Sequence, residues 1–412
     1  MNLKIFVDYY NAGEEKLFEC YPNYQELKTL VGKEITISKD EFLSYMMFTE
    51  QADEDGWRTF LELKKKVQHR LGDIQDILDF SNGSIQSKQS SERMFASKMT
   101  ERIGVSIGIN VINKFHSLTE ADWAITPNTY IDGKRVKDFD YEIEMASDGV
   151  KFIQVENKGT VSDDNNLKST SVSKHYGSIK AKKSNIITRN KDNEICENEN
   201  IYYGTIAVLD NTNTAKLWLV DPEAFQVEWS PRKFKLISRL LYYSDIFSII
   251  GVHKAIQKSL KDRISQLIES ENIEDFNKNP LKSNARFPMT FLETSNFVNI
   301  NNSLAFGAFF FIENDNGGDV FIMALTKTII KLVIAQDFDN ILEYEFVDAE
   351  FLEKVSIELS VRSSKISSDF EKTKTDFVFD KKRKRYFYQK YQKISSISSG
   401  RIFGLIDSTK IK

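Results

Sequence analysis

Residues Asp138 to Gly159 constrain this chain more than any other stretch. From Asp138 to Met145 the residue types alternate strictly. Phe139, Tyr141, Ile143 and Met145 fall on one face of an extended strand, and Asp138, Asp140, Glu142 and Glu144 on the other. Ser147-Asp148-Gly149 then suits a three-residue hairpin connection in which the glycine takes the left-handed position. This turn pairs Ala146 with Val150. It sets Asp140 opposite Glu156, Asp138 opposite Lys158 and Glu142 opposite Gln154, while Ile153 and Val155 face Ile143 and Tyr141. One register thus sorts apolar from charged residues.

Carboxylates directly opposite one another across a ladder repel. A divalent cation removes the conflict, because Mg²⁺ (or Mn²⁺) takes hard oxygen ligands from one or two carboxylates and keeps waters for a phosphate to displace. Asp140 and Glu156 are therefore candidate metal ligands, with the backbone carbonyl of Asn157 between them a further one. Lys158 is the candidate for orienting or deprotonating the attacking water, or for neutralising phosphate charge. The competing reading is an exposed sheet face with solvated charges. The triplet E-x-K itself is unspecific, since it recurs at Glu14-Glu15-Lys16, Glu26-Leu27-Lys28 and Glu62-Leu63-Lys64. Glu156 differs in its context of hairpin, in-register acid and flanking helical runs.

The whole-chain charge bounds the partners. Lys+Arg number 56 and Asp+Glu 60, a net charge of -4, which excludes a globally basic nucleic-acid binder. Binding to a polyanion must come from local patches. Two are present: Lys174, Lys180, Lys182 and Lys183 on the helical run after the hairpin, and Lys381, Lys382, Arg383 and Arg385 ahead of Tyr386-Phe387-Tyr388. The competing reading of each is a solvated charged face. Cys20 and Cys196 make neither a disulfide framework nor a C-x-x-C pair, and the four histidines show no metal-ligand spacing, so a zinc hydrolase is not expected. The segment MNLKIFVDYY meets Asp8 early and reads as no signal peptide. The longest apolar run, Ala305 to Ile312, falls far short of the roughly 20 residues that span a bilayer. A soluble, cytoplasmic protein without a membrane partner is expected.

A length of 412 residues suggests two or three domains. The patterns divide the chain into an N-terminal α/β region at 1–84, a central part at 85–228, and a C-terminal part at 229–412 that is helical and then strand-rich. In the central part, Met99, Ile103 and Ile107 recur as on a helix, with Glu101, Gly104 and Gly108 near one face. The two glycines would let that face approach a sheet closely. Ile103, Val105, Ile107, Ile109 and Val111 also alternate at period two, so a strand competes with the helix there. Gly104-Val105-Ser106-Ile107-Gly108 spells G-x-S-x-G, but no strand ends just before it as a nucleophile elbow requires. No G-x-x-x-x-G-K-[ST] occurs, so any nucleotide-driven motor belongs to a partner.

Asp140, a hairpin, and Glu156-Asn157-Lys158 followed by Gly159 resemble the core of the PD-(D/E)xK nucleases, a superfamily of restriction, repair and phage-defence enzymes. The likeness runs from about Ser90 to Asp221, roughly a third of the chain. The sequence departs from the pattern in lacking a proline before the aspartate, which leaves Asp138 or Asp140 as the ligand. The register favours Asp140. The resemblance implies an α/β fold with a restriction-endonuclease-like mixed central sheet flanked by helices, here with additional N-terminal and C-terminal α/β regions. It implies an acid from the first helix, for which Glu101 is the first candidate and Glu92 the second, and lysines of the following helix against the substrate backbone. It implies a Mg²⁺-dependent endonuclease, on DNA rather than RNA, working as a homodimer or as a partner subunit of a defence system. The alternatives are a nuclease-fold binding or assembly subunit without cleavage, and an RNA-cutting effector.

Overall fold

A computed structural model of the chain describes residues 2–21, 24–48, 60–88, 97–125, 130–131, 134–135, 143–192, 201–221, 230–270, 273, 279–281, 296–300, 304–312, 319–344, 350–352, 355–361, 378–380, 385–390 and 394–407. The chain divides into two compact units, 1–56 with 69–238, and 57–68 with 239–412. No helix among the described residues is long and apolar enough to cross a membrane.

The first unit carries β1 (Asn2–Tyr9), α1 (Ala12–Phe18), α2 (Tyr24–Leu30), β2 (Lys33–Ser38), α3 (Lys39–Phe48) and part of α4 (Phe60–Ile77). It continues with β3 (Leu78–Asp79), β4 (Gln86–Ser87), α5 (Ser97–His116), β5 (Ala124–Ile125), β6 (Tyr130–Ile131), β7 (Lys134–Arg135) and β8 (Ile143–Ser147). Then come β9 (Phe152–Val161), α6 (Thr170–Asp192), β10 (Ile201–Leu209), β11 (Lys216–Val220) and the first residues of α7 (Pro231–Ile249). One seven-stranded mixed sheet runs β2-β1-β11-β10-β9-β8-β5. β8 is antiparallel to β5 and β9, β9 is parallel to β10, and β10 is antiparallel to β11. The N-terminal strands therefore do not form a region of their own. β1 pairs in parallel with β11, and β2 extends the same sheet, so residues 1–84 are largely part of the central unit.

Alternation along β9 and β10 sends odd-numbered residues to one face and even-numbered ones to the other. α5 takes the odd face. A Cβ on Gly104 would stand 2.5 Å from the Lys158 carbonyl carbon and the Gly159 nitrogen, so the two glycines of α5 do let it lie directly on β9. The opposite side of α5 packs Val105 and Ile109 against Tyr45 of α3. This resolves the period-two ambiguity. α5 is buried on both sides from Ile103 to Asn113, and a helix enclosed all round carries apolar residues at nearly every position. α6 takes the even face, where Val172 and Ile179 join Tyr10, Ile206, Val208, Trp218 and Val220 in one apolar cluster.

The second unit begins within α4 and α7 and contains α8 (Lys254–Glu269), β12 (Asn296–Ile300), β13 (Ala305–Ile312), β14 (Asp319–Thr326), α9 (Lys327–Ala335) and α10 (Phe338–Leu342). It ends with β15 (Glu350–Leu352), β16 (Val355–Val361), β17 (Val378–Asp380), β18 (Arg385–Lys390), β19 (Ile394–Ser396) and β20 (Arg401–Asp407). Its nine-stranded sheet runs β15-β19-β20-β14-β13-β12-β16-β18-β17. β13 and β14 form the antiparallel pair that their apolar runs predict.

The β8–β9 register differs from the expectation. Ser147 pairs with Phe152 and Ile143 with Glu156, three positions from the alignment that set Asp140 against Glu156. The cause is the turn. Asp148 Oδ1 accepts from the N–H groups of Val150 at 2.8 Å and Lys151 at 2.7 Å, and Gly149 takes a φ of 93°. Asp148 thus closes an Asx turn that spends residues 148–151 on the connection. An odd-numbered shift exchanges the faces of one strand relative to the other, so the predicted matching of charged faces does not hold.

Candidate functional site

Only one of the four E-x-K triplets lies on a strand. The other three fall within α1, α2 and α4, and in α1 and α2 the side chains two positions apart point about 200° apart and cannot converge. On β9, Glu156 and Lys158 share the even face, and Lys158 Nζ donates to Glu156 Oε1 at 3.1 Å. Lys182 of α6 donates to the same oxygen at 2.7 Å. α6 reaches this close because Gly204 stands beside Glu156 in the parallel ladder, and a Cβ there would sit 3.1 Å from Ile179 Cγ2. Ile179 packs, and one helical turn further on Lys182 arrives over the carboxylate.

Glu156 is 2% exposed and Lys158 8%. Desolvating such ions costs several kcal/mol each, offset only where the pairing is close. Among the described residues, Glu156, Lys158 and Lys182 thus bring one carboxylate and two ammonium groups to one point of the sheet, with the buried Gln154 and Thr160 of β9 on the same face. The two ammonium groups are donors of the kind that a phosphate oxygen or a water accepts.

A second buried cluster lies on the same helix. Glu14, 2% exposed, accepts from Lys180 Nζ at 2.6 Å, from Tyr176 Oη at 2.9 Å and from the Asp221 N–H at 2.7 Å. Tyr21 Oη donates to Asp221 Oδ1 at 2.7 Å, and burial together with that carboxylate raises the Tyr21 hydroxyl well above its ordinary range. Sequence reasoning passed over Glu14 as part of an E-x-K decoy. Asn11, whose side chain caps the first turn of α1 ahead of Glu14, is the signal that a carboxylate belongs there.

The remaining candidates divide as follows. Asn157 is fully buried with its side chain turned to the α5 face, where Oδ1 accepts from Thr205 Oγ1 at 2.7 Å. Glu101 lies on α5, across the sheet from Glu156, so the structure does not bring the two together. Glu92, Asp138 and Asp140 lie outside the described residues. Lys174 is exposed on α6, and Lys180 and Lys182 are engaged with carboxylates of the chain itself. The side chain of Lys183 lies outside the described residues, as do Lys381, Lys382 and Arg383. Arg385 opens β18, and its side chain too lies outside them. Ser106 of the G-x-S-x-G pentapeptide is buried mid-helix, so no nucleophile elbow exists there. Among the described residues no group of three or more His, Cys, Asp or Glu could hold a metal ion. No protein-family model, curated protein or solved structure matches the chain.

On the α5 face His116 Nε2 lies 2.9 Å from Tyr203 Oη, and burial pushes its pKa down to about 4, with Asp148 opposing weakly. An unfolded histidine titrates near ~6.5. Between those values the unfolded chain binds a proton that the folded chain refuses. Stability present above pH ~6.5 is thus lost as pH falls toward ~4, by up to about 3 kcal/mol. Urea unfolding at stepped pH tests this. His116→Gln should flatten the slope in that window, and an unchanged slope would refute the assignment.

Proposed function

We propose that the chain is a nucleic-acid phosphodiesterase of the PD-(D/E)xK kind, built on Glu156, Lys158 and Lys182. The observation that carries the reading is the burial of Glu156 and Lys158 together on one strand face, with the half-buried Lys182 of the covering helix closing on the same carboxylate oxygen. Such an arrangement gains little stability over an apolar one, so its presence points to chemistry. The order of elements supports the same reading once the separate two-stranded β6–β7 pair is set aside: α5, then β5, β8 and β9 of the seven-stranded sheet, then α6, then β10 parallel to β9. This is the helix, three strands, helix, strand order that the resemblance implies, on a sheet flanked by helices.

Mg²⁺ is the cofactor that the resemblance implies, and the described residues do not fit it as they stand. They supply a single carboxylate, Glu156, and that carboxylate is engaged by two ammonium groups. The second carboxylate that the proposal requires lies outside the described residues, and the observed register no longer singles out Asp140 over Asp138 for it. The chain's own contribution is clearer. Lys158 and Lys182 bring positive charge to where a backbone phosphate would lie, and Lys158 is positioned to donate to a phosphate oxygen or an attacking water. DNA in a restriction or defence setting is the proposed substrate, with a second copy or another subunit as partner.

The experiment is incubation of wild type and Glu156→Gln with matched DNA and RNA in Mg²⁺, Mn²⁺ or EDTA. The expected result is metal-dependent cleavage, of DNA before RNA, reduced by about 10²-fold or more in the variant. Equal cleavage by both proteins would overturn the proposal. The close contact of Lys182 on Glu156 also favours a second reading, a nuclease-fold subunit that binds nucleic acid without cutting. Binding that falls steeply with salt, with no cleavage in any metal, is the result expected of it.

A further inference from the structure

The charges of α8, a helix of the second unit, are set against its own stability. Ile256, Leu260, Ile264 and Leu267 hold it to the unit, each 4% exposed or less. On its outer side Lys254, Lys258 and Lys261 are all exposed. Spaced four and three residues apart, they fall within an arc of about 60° and make one stripe about 10 Å long. From Lys254 to Arg263 the helix holds four cations and one acid, Asp262, in a chain whose net charge is -4. Asp262 stands four residues after Lys258, the weaker order for a helical pair, and no ion pair joins them. Among the described residues none of the three lysines meets a carboxylate. No acid occupies the first turn and no base the last, where Glu269 stands instead. The helix dipole favours the reverse order at both ends. A helix placed only to cover a core would gain from acids where these lysines are.

We propose that the stripe of Lys254, Lys258 and Lys261 is a contact surface for a nucleic-acid backbone, through which the second unit holds the substrate. The inference rests on the reading of the chain as one that acts on nucleic acid, and it uses no residue of the Glu156 cluster. A duplex presents a negative charge about every 1.7 Å of its axis, so about six lie alongside a 10 Å row of ammonium groups. Lysines are compact charges on flexible stems, suited to phosphates more than to base edges, so the stripe positions the strand without reading its sequence. An anionic membrane is the less suited partner. A helix that lies on a bilayer buries its apolar face there, and the apolar face of α8 is buried in the protein. Its one exposed large apolar side chain, Ile268, stands two turns beyond Lys261. A protein partner would likewise find no aromatic or apolar anchor between the lysines.

The test is fluorescence anisotropy of a labelled DNA duplex with the full chain in EDTA, over a series of salt concentrations. Wild type is compared with a variant combining Lys254→Gln, Lys258→Gln and Lys261→Gln. Glutamine nearly matches lysine in helix propensity, so the variant should keep its fold, which circular dichroism melts check. Loss of three phosphate contacts should lower the slope of log affinity against log salt by about 2–3, and weaken binding about tenfold or more. The three lysines changed together to arginine should preserve both. Lys331→Gln, at an exposed position of α9, should change neither. An unchanged slope and affinity in the triple glutamine variant would overturn the proposal, as would a wild type that does not bind the duplex. Equal weakening by Lys331→Gln would overturn it too, in favour of a diffuse effect of charge. Vesicles containing phosphatidylserine that bind wild type but not the triple variant, with DNA binding the same in both, would assign the stripe to a membrane instead. EDTA keeps cleavage out of the assay, so the two readings fail separately. An unchanged triple variant in a protein that cleaves with metal refutes the stripe alone, and a lowered slope in a protein that never cleaves supports the stripe and refutes the phosphodiesterase.

Discussion

Gly159→Ala is expected to destabilise the first unit by about 3 kcal/mol, at the upper end of overpacking costs. A Cβ at this position would stand 1.9 Å from the carbonyl oxygen of Thr100 and 2.7 Å from the nitrogen of Gly104. Both are backbone atoms of α5, so no flexible side chain can yield. α5 cannot retreat either, because Val105 and Ile109 on its other side are packed on Tyr45. The neighbouring glycines should rank below it. At Gly104 the obstacles are again backbone, at 2.5 Å, whereas at Gly108 they are the ends of the Asn157 and Thr205 side chains, which can rearrange. Gly177 of α6 is the control. Nothing lies within 4 Å of its added Cβ, and Gly177→Ala should stabilise by about 0.5–1 kcal/mol through helix propensity. Urea unfolding of the four variants gives the ranking. Gly159→Ala behaving like Gly177→Ala would mean that α5 does not rest on β9.

The close approach of α5 to the sheet was legible in the sequence because its signal is local. Two glycines one helical turn apart mark a face with no side chains, and burial on both sides explains why the same stretch also alternates as a strand would. The strands flanking the hairpin were legible for the same reason, since period-two patterns and turn residues act over short range. The register was not. Ser147-Asp148-Gly149 is compatible with more than one turn, and the choice was made by the Asp148 carboxylate capping the N–H groups of Val150 and Lys151. A turn longer by a few atoms re-aligned the whole ladder, and with it the argument that set Asp140 against Glu156.

The charge partners were the least legible part. Lys180 and Lys182 stand in a row of lysines that reads equally as a solvated face or as a phosphate contact. Nothing in that row says that Lys182 meets Glu156, 26 residues away, or that Lys180 meets Glu14, 166 residues away. Both meetings depend on where α6 lies, and that is fixed by Gly204 and Ile179 packing across the sheet. A lone E-x-K gives the pair on the strand. The third charge comes only with the tertiary fold.

Lys158→Met should separate function from stability at this site. In the variant Glu156 keeps Lys182 at 2.7 Å, so the buried carboxylate is still compensated. The lost ammonium is itself one whose desolvation is costly, and methionine fills a similar volume along the same stem. The melting temperature should therefore stay within a degree or two of wild type or rise. Cleavage, by contrast, should fall by about 10²–10³-fold, the cost of removing a positioned donor or proton-transfer group from a phosphoryl site. A purely structural Lys158 gives the reverse pattern, a lower melting temperature with unchanged turnover per folded molecule. Calorimetric melts beside single-turnover cleavage decide between them. A buried cation whose removal costs activity and spares the fold is one retained for the reaction, because the fold alone would favour its replacement.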